Sequence, residues 1–200
     1  MARLRGTEGY AQEADILLKT YESIPFDKAQ ERVLPLLPRP PARLLDIGAG
    51  TGRDAAGFAA LGYDVVAAEP TDEMREGGRR LHAEANIEWL DDGLPDLAAL
   101  RGRGVLFDVV MMTAVWMHLD QAEQRCAMPN VASLLRLRGV LAMTLRYGPV
   151  PPGRRMFEVS TGETIALAAA SGLELVVEED TPTLVKRTVP VTWKRLVFRR

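Results

Sequence analysis

Apolar positions along this chain change their spacing as the chain proceeds. Near the N-terminus, Ala14, Leu17, Leu18 and Tyr21 recur at the interval of one helix face, and a second short helical segment is predicted from Asp27 to Leu36. Pro38-Arg39-Pro40-Pro41 then stops any helix and opens a new unit. From Ala42 onward, short apolar runs alternate with helix-patterned stretches. Strands are predicted at Ala42–Ile47, Asp64–Ala68, Ile87–Leu90, Val105–Thr113 and Val140–Arg146. Helices are predicted at Asp54–Leu61 and Thr71–Ala85, and another is capped by Asp120, with Glu123 at capping-box spacing and Pro129 placed to kink it.

Strands alternating with helices predict a mostly parallel sheet covered on both faces, a doubly wound α/β fold. The C-terminal end departs from this pattern. Thr161–Ala170 reads as a helix, but strands at Leu173–Glu178 and Val191–Arg199 are joined by Glu179–Pro190, which shows no helical pattern. Strands joined without a helical crossover pair antiparallel, so the sheet is expected to close with an antiparallel hairpin. Residues 1–200 are read as a single domain, with 1–38 as a helical cap.

Composition narrows the classes. Hydrophobic residues make up 47% and charged residues 26%, ordinary for a globular domain, and the net charge of −2 gives no broad cationic footprint. No nucleic-acid partner is therefore expected. The single cysteine, Cys126, allows no internal disulfide, and a cytoplasmic location is the expectation. Met1–Gly6 has no apolar run behind it, so no signal peptide is expected. No stretch approaches the roughly 18 apolar residues of a membrane span. No His, Cys and carboxylate cluster has ligand spacing, so no metal is expected. Oligomeric state is not readable.

The strongest motif is Leu44-Leu45-Asp46-Ile47-Gly48-Ala49-Gly50-Thr51-Gly52, a buried strand running into a glycine-rich turn that opens a helix. Open α/β sheets bind ligands at the carboxyl ends of their strands, where such a turn lies. The glycines fall at 48, 50 and 52, and Arg53 stands at the third glycine position of the dinucleotide fingerprint G-x-G-x-x-G. Asp46 sits just before the turn. A carboxylate there opposes a pyrophosphate and favours a ligand carrying an ammonium and a sulfonium. Glu69, after the second strand, is placed to accept both ribose hydroxyls of an adenosine. Asp91 or Asp92, after the third strand, is a candidate acceptor for the adenine amino group.

With these motifs the chain resembles the class I methyltransferases that use S-adenosylmethionine (SAM). Asp46–Gly52 resembles their first motif, Glu69 their ribose acid, Asp91/Asp92 their adenine-side acid, and Phe107-Asp108-Val109-Val110-Met111-Met112 their fourth-strand motif. The resemblance spans roughly residues 42–147. It implies a Rossmann-like sheet of seven strands in the order 3-2-1-4-5-7-6 with the last strand antiparallel, and SAM as cofactor. It also implies that Ala49, Pro70, Met112 and Thr113 line the cofactor site. Arg138-Gly139 stands where many members have Gly-Gly, which is expected to alter a surface turn and leave cofactor binding alone.

The acceptor is expected to be a small molecule. His118 is the candidate base or substrate-orienting group, with a packed histidine as the competing reading. Trp116, Tyr21, Arg146 and Arg155 are candidate substrate contacts, the two arginines as a clamp for an anion. Trp116 is more often a core residue than a platform. Tyr10 and Tyr21 are candidates to close over the cofactor, and His82 is expected on the surface. Two rival functions differ in kind: a nicotinamide-dependent oxidoreductase, disfavoured by Asp46 and Arg53, and a SAM-binding regulatory protein without turnover.

Overall fold

The apolar runs pair into one sheet. Its strands are β1 (Arg43–Ile47), β2 (Asp64–Ala68), β3 (Ile87–Leu90), β4 (Phe107–Met112), β5 (Leu135–Tyr147), β6 (Glu174–Thr181) and β7 (Thr192–Arg199). Their order is β3-β2-β1-β4-β5-β7-β6. β1 to β5 are parallel, and β7 lies antiparallel to both β5 and β6. This is the seven-stranded α/β sheet expected from the sequence. The computed structural model describes residues 6–185 and 189–200. The first five residues of the leader, on which the signal-peptide expectation falls, and Lys186–Thr188 of the predicted inter-strand loop lie outside the described residues.

Alternation along each strand divides the core between two faces. Leu45 and Ile47 of β1, with Val110 and Met112 of β4, join the core on one face; Leu44, with Val109 and Met111, joins the core on the other. Helices α6 (Gln121–Ser133) and α7 (Thr161–Ala170) contribute to the first core, and α3 (Arg53–Ala60) to the second. The leader forms α1 (Ala14–Glu22) and α2 (Phe26–Gln30), followed by a single 3₁₀ turn at Leu34–Leu36. Pro35 in that turn breaks what the periodicity read as one segment.

The leader seats on glycines of two core helices. A Cβ at Gly57 in α3 would run into the Phe26 ring, and one at Gly77 in α4 (Asp72–Leu81) would lie 2.5 Å from Leu18 Cδ1. Phe26, Phe58 and Tyr63 then stack edge to face at centroid distances of 5.0 and 5.5 Å.

Several boundaries differ from expectation. α4 ends at Leu81 rather than Ala85, because His82 leaves helical geometry (φ −116°, ψ 38°). β5 begins at Leu135 rather than Val140. Leu135 pairs with Phe107, the ladder then shifts, and Val109 pairs with Val140. The extra residues turn at Arg138, whose φ of +67° is a conformation more natural to glycine. That turn is held by the chain end, with Arg138 N–H donating to Arg200 O at 2.7 Å and Arg200 N–H to Gly139 O at 3.0 Å. The Asp120–Glu123 capping box forms with both bonds at 2.9 Å, and α6 continues through Pro129. A short helix, α5 (Ala98–Gly102), has no counterpart in the sequence pattern. Among the described residues no helix is long and apolar enough to cross a membrane.

Candidate active site

Strands β1 to β5 are parallel, so the loops after them emerge on one edge of the sheet. A cavity of about 520 Å³ lies over that edge, within the range of roughly 300–1,000 Å³ typical of small-ligand sites. The loop residues Gly48–Thr51, Glu69–Thr71, Gly93–Leu94 and Thr113–Val115 line one end of it. Asp46, Met111 and Ala142 form one register row across the sheet and continue its floor. Leader residues on α1 and α2 roof it, among them Leu17, Tyr21 and Gln30.

The turn after β1 is built from positive φ values of 68°, 58° and 79° at Gly48, Gly50 and Gly52. Its amides are largely committed inward. The N–H groups of Gly48 and Ala49 donate to Ala68 O at 2.8 and 3.1 Å, and that of Gly52 to Ala49 O at 2.9 Å. The Gly50 N–H donates to Glu69 Oε2 at 2.8 Å. A Cβ at Gly48 would lie 2.7 Å from Val115 Cγ2. Gly48→Ala therefore combines strain with a clash. It is expected to lower stability by about 1–3 kcal/mol in denaturant unfolding, the usual cost of a forced left-handed residue. An unchanged unfolding midpoint would mean that the turn can relax.

Glu69 is buried and braces this turn from the end of β2. Besides Gly50, its other oxygen accepts the Thr71 N–H at 2.8 Å. Burial pushes its carboxyl above the usual carboxylate range, while the bonds from Thr71 and Gly50 pull it back. The Thr71 side chain bonds the carboxyl as well, which leaves part of its acceptor capacity for a ligand hydroxyl.

Asp46 is 2% exposed, and among the described residues no hydrogen bond reaches its carboxyl. Burial first, and then the Asp54 charge, hold its pKa well above the usual range, against the pull of Arg53. A buried acid without a donor is unfavourable in itself. A cation in the cavity would relieve it.

The remaining predicted residues divide. Ala49, Pro70, Thr113, Tyr21, His118 and Arg146 line the cavity. Met112 does not: the strand alternation that puts Met111 on the cavity floor turns Met112 into the opposite core. Neither aspartate after β3 lines it. Asp91 is largely exposed and pairs with Arg75 at 3.5 Å. Asp92 is buried, but its two oxygens accept Gly93 N–H at 2.9 Å and Leu100 N–H at 2.8 Å, which caps α5. Trp116 is fully buried and donates to Thr164 Oγ1 at 3.1 Å, a core position. Arg155 also lies off the cavity, bound to His118 O at 2.7 Å and to Glu123 and Asp120 at 2.8 and 3.2 Å. Its neighbour Arg154 lines the cavity instead. His82 is not a free surface residue, since its Nε2 lies 3.2 Å from Glu22 Oε1 of the leader.

His118 is 7% exposed and bridges the loop to the leader. Its Nδ1 lies 2.9 Å from Arg155 O, and its Nε2 lies 3.0 Å from Tyr10 Oη. A carbonyl can only accept, so Nδ1 carries the proton and Nε2 accepts from the Tyr10 hydroxyl. Burial lowers the His118 pKa below its usual 6.5, and burial raises that of Tyr10, next helped by the nearby Tyr21. Both groups are therefore neutral at pH 7.

Arg154, Trp193 and Arg195 were not singled out from sequence. Arg154 reaches the cavity from a Pro/Gly-rich loop without a period, and Trp193 and Arg195 from alternate positions of β7, whose facing is fixed by the pairing with β5. Among the described residues no cluster of three or more His, Cys, Asp or Glu could hold a metal ion.

Comparison with known proteins agrees with this architecture. Residues 44–139 match a family model described as a methyltransferase domain. Human glycine N-methyltransferase is 28% identical over 141 residues, 58% of this chain and 46% of that protein. A ubiquinone biosynthesis O-methyltransferase from Methylocella silvestris is 31% identical over 144 residues, 72% of this chain and 47% of that protein. The chain thus spans about half the length of these relatives. The crystal structure of the N-methyltransferase NodS from Bradyrhizobium japonicum, in complex with S-adenosylhomocysteine, superposes with a TM-score of 0.67 at 15% identity, covering 94% of this chain and 97% of that one. By the match over residues 44–139 and by its overall fold, the chain resembles the SAM-dependent methyltransferases.

Proposed function

We propose that this protein transfers a methyl group from SAM to a small-molecule acceptor. The observation that carries the reading is the Asp46 carboxyl, buried without a hydrogen-bond donor on the cavity floor beside a turn whose amides at 48, 49, 50 and 52 are already bonded. Such a turn offers few donors to a pyrophosphate and an unmet carboxyl to a cation, which fits SAM better than a dinucleotide. Asp46 would pair with the ligand's positive charge, and the remaining acceptor capacity of Glu69 would meet its ribose. Bound there, SAM supplies an electrophilic methyl carbon: the acceptor's lone pair forms the new bond as the carbon–sulfur bond breaks and its electrons go to sulfur. The leader roof excludes water and fixes the acceptor in line. Where the acceptor must lose a proton, the Tyr10 hydroxyl relays it to His118 Nε2. His118 then acts on the acceptor only through Tyr10.

Titration with S-adenosylhomocysteine and with NADH tests the cofactor, and transfer of labelled methyl to a panel of small acceptors tests turnover. Binding of NADH without S-adenosylhomocysteine would overturn the reading, and binding without transfer would favour a regulatory protein. His118→Ala is expected to leave S-adenosylhomocysteine affinity unchanged. It should slow turnover of a proton-losing acceptor by roughly 10²–10⁴-fold, the usual share of a general base. Because burial lowers the His118 pKa, the acid limb of the wild-type rate profile should lie below pH 6.5. An acid limb above that value would remove His118 from the proton path.

A further inference from the structure

Beyond the nucleoside end, the cavity continues along the β5–β7 face. Arg146 on β5 pairs in register with Trp193 on β7, and cross-strand partners share a face, so guanidinium and indole lie side by side on its floor. Arg146 is buried and donates to Gly148 O at 3.2 Å and to Pro149 O at 2.8 Å. Arg154 enters the same space, 4.3 Å from the centroid of the Tyr10 ring. Its side chain is only 6% exposed. One nitrogen, Nη2, meets Glu13 Oε2 at 2.6 Å, and that acid is about half exposed. The other, Nη1, is buried with no hydrogen-bond partner. A buried guanidinium nitrogen left without an acceptor is costly, and both arginines act on His118, which places them around the Tyr10–His118 pair. Leu17 and Met156 add apolar surface to the lining.

We propose that the methyl acceptor is a carboxylic acid with an apolar body, its carboxylate taken by Arg154 beside Arg146 and its body lying against Trp193. This rests on the methyltransferase reading and names the acceptor class for the same site. A carboxylate suits a guanidinium whose Nη2 is already held by Glu13 better than a phosphate does, since a phosphate brings three strong acceptor oxygens and about twice the charge. Arg155, which the sequence paired with Arg146 as the clamp, is held by Asp120 and Glu123 and takes no part.

Three probes with one phenyl body test this by calorimetry: 3-phenylpropanoate, 3-phenylpropanamide and phenyl phosphate, each titrated into the full chain with and without S-adenosylhomocysteine. The carboxylate is expected to bind at least about tenfold more tightly than the amide, the scale of one charge-assisted hydrogen bond. Arg154→Gln should abolish that preference while S-adenosylhomocysteine still binds. Glu13→Gln, which removes the competing acid, should increase the preference, and this variant decides the matter should Arg154→Gln fail to fold. Equal binding of acid and amide, no binding of any probe, a preference for phenyl phosphate, or a preference that survives Arg154→Gln would each overturn the proposal. Failure of the wild type to bind S-adenosylhomocysteine would instead count against the methyltransferase reading, and the probe preference would still be read on the free protein.

Discussion

Glu69→Ala is expected to weaken S-adenosylhomocysteine binding by about ten- to a hundredfold and to lower stability by roughly 2–4 kcal/mol. The two effects share one cause. The carboxylate accepts the N–H groups of Gly50 and Thr71, both at 2.8 Å, so its removal leaves two amides unpaired and frees the turn that shapes the cofactor end of the cavity. The desolvation that raises the Glu69 pKa partly offsets this, because a buried charge is also removed. Glu69→Gln separates the contributions. It keeps the shape and one acceptor, but points an NH₂ group at an N–H donor, and should fall between wild type and alanine in both measurements. Denaturant unfolding and calorimetric titration would check the pair. Loss of affinity with full stability would mean that Glu69 contacts ligand without bracing the turn. Loss of stability with unchanged affinity would remove it from the ribose site.

Asp46→Asn is expected to give opposite signs. The carboxyl is buried with no hydrogen-bond donor, so neutralising it should leave the free protein as stable or more stable at neutral pH. The affinity for SAM should nevertheless fall by about ten- to a hundredfold, the scale of one buried charge-assisted contact. The pH dependence follows from the raised pKa. The folded state holds this proton more tightly than the unfolded chain does. Its contribution to stability is therefore fully present below the unfolded pKa and is lost as pH rises through the folded value. A cationic ligand favours the ionised form, so SAM binding should release a proton and should tighten as pH rises across that window. Titration in buffers of different ionisation enthalpy measures the release directly. Binding with no proton release, together with an unimpaired Asp46→Asn variant, would show that the cation rests elsewhere.

The sheet was legible because its signals are local. Short apolar runs, an alternation with helices and a helix-free C-terminal connection are enough to predict the strand directions, and the family resemblance supplied their order. The turn after β1 was legible for the same reason, since Asp46 and three glycines are contiguous. What could not be read depends on side-chain partners distant in sequence. Asp92 is committed to the amides of Gly93 and Leu100, the second belonging to a five-residue helix with no periodic signature. Met111 and Met112 differ only by the alternation of β4, and the register that decides between them is set by β1 and β5. Arg154 and Arg155 are adjacent in an irregular loop. Which of them faces the cavity is decided by the acids Asp120, Glu123 and Glu13, more than 30 residues away in each case.

Gly57 and Gly77 carry a consequence for how the protein responds to its ligand. α3 begins directly after the glycine turn and α4 directly after Glu69-Pro70-Thr71, so Phe26 and Leu18 rest on the two helices whose first turns border the cofactor end. Occupancy below and closure above are thereby linked thermodynamically: a ligand that orders those first turns also favours the seated leader, and a seated leader raises the affinity for that ligand by the same factor. The amides of α1 and α2, whose residues also roof the cavity, should accordingly gain protection from hydrogen exchange on S-adenosylhomocysteine binding.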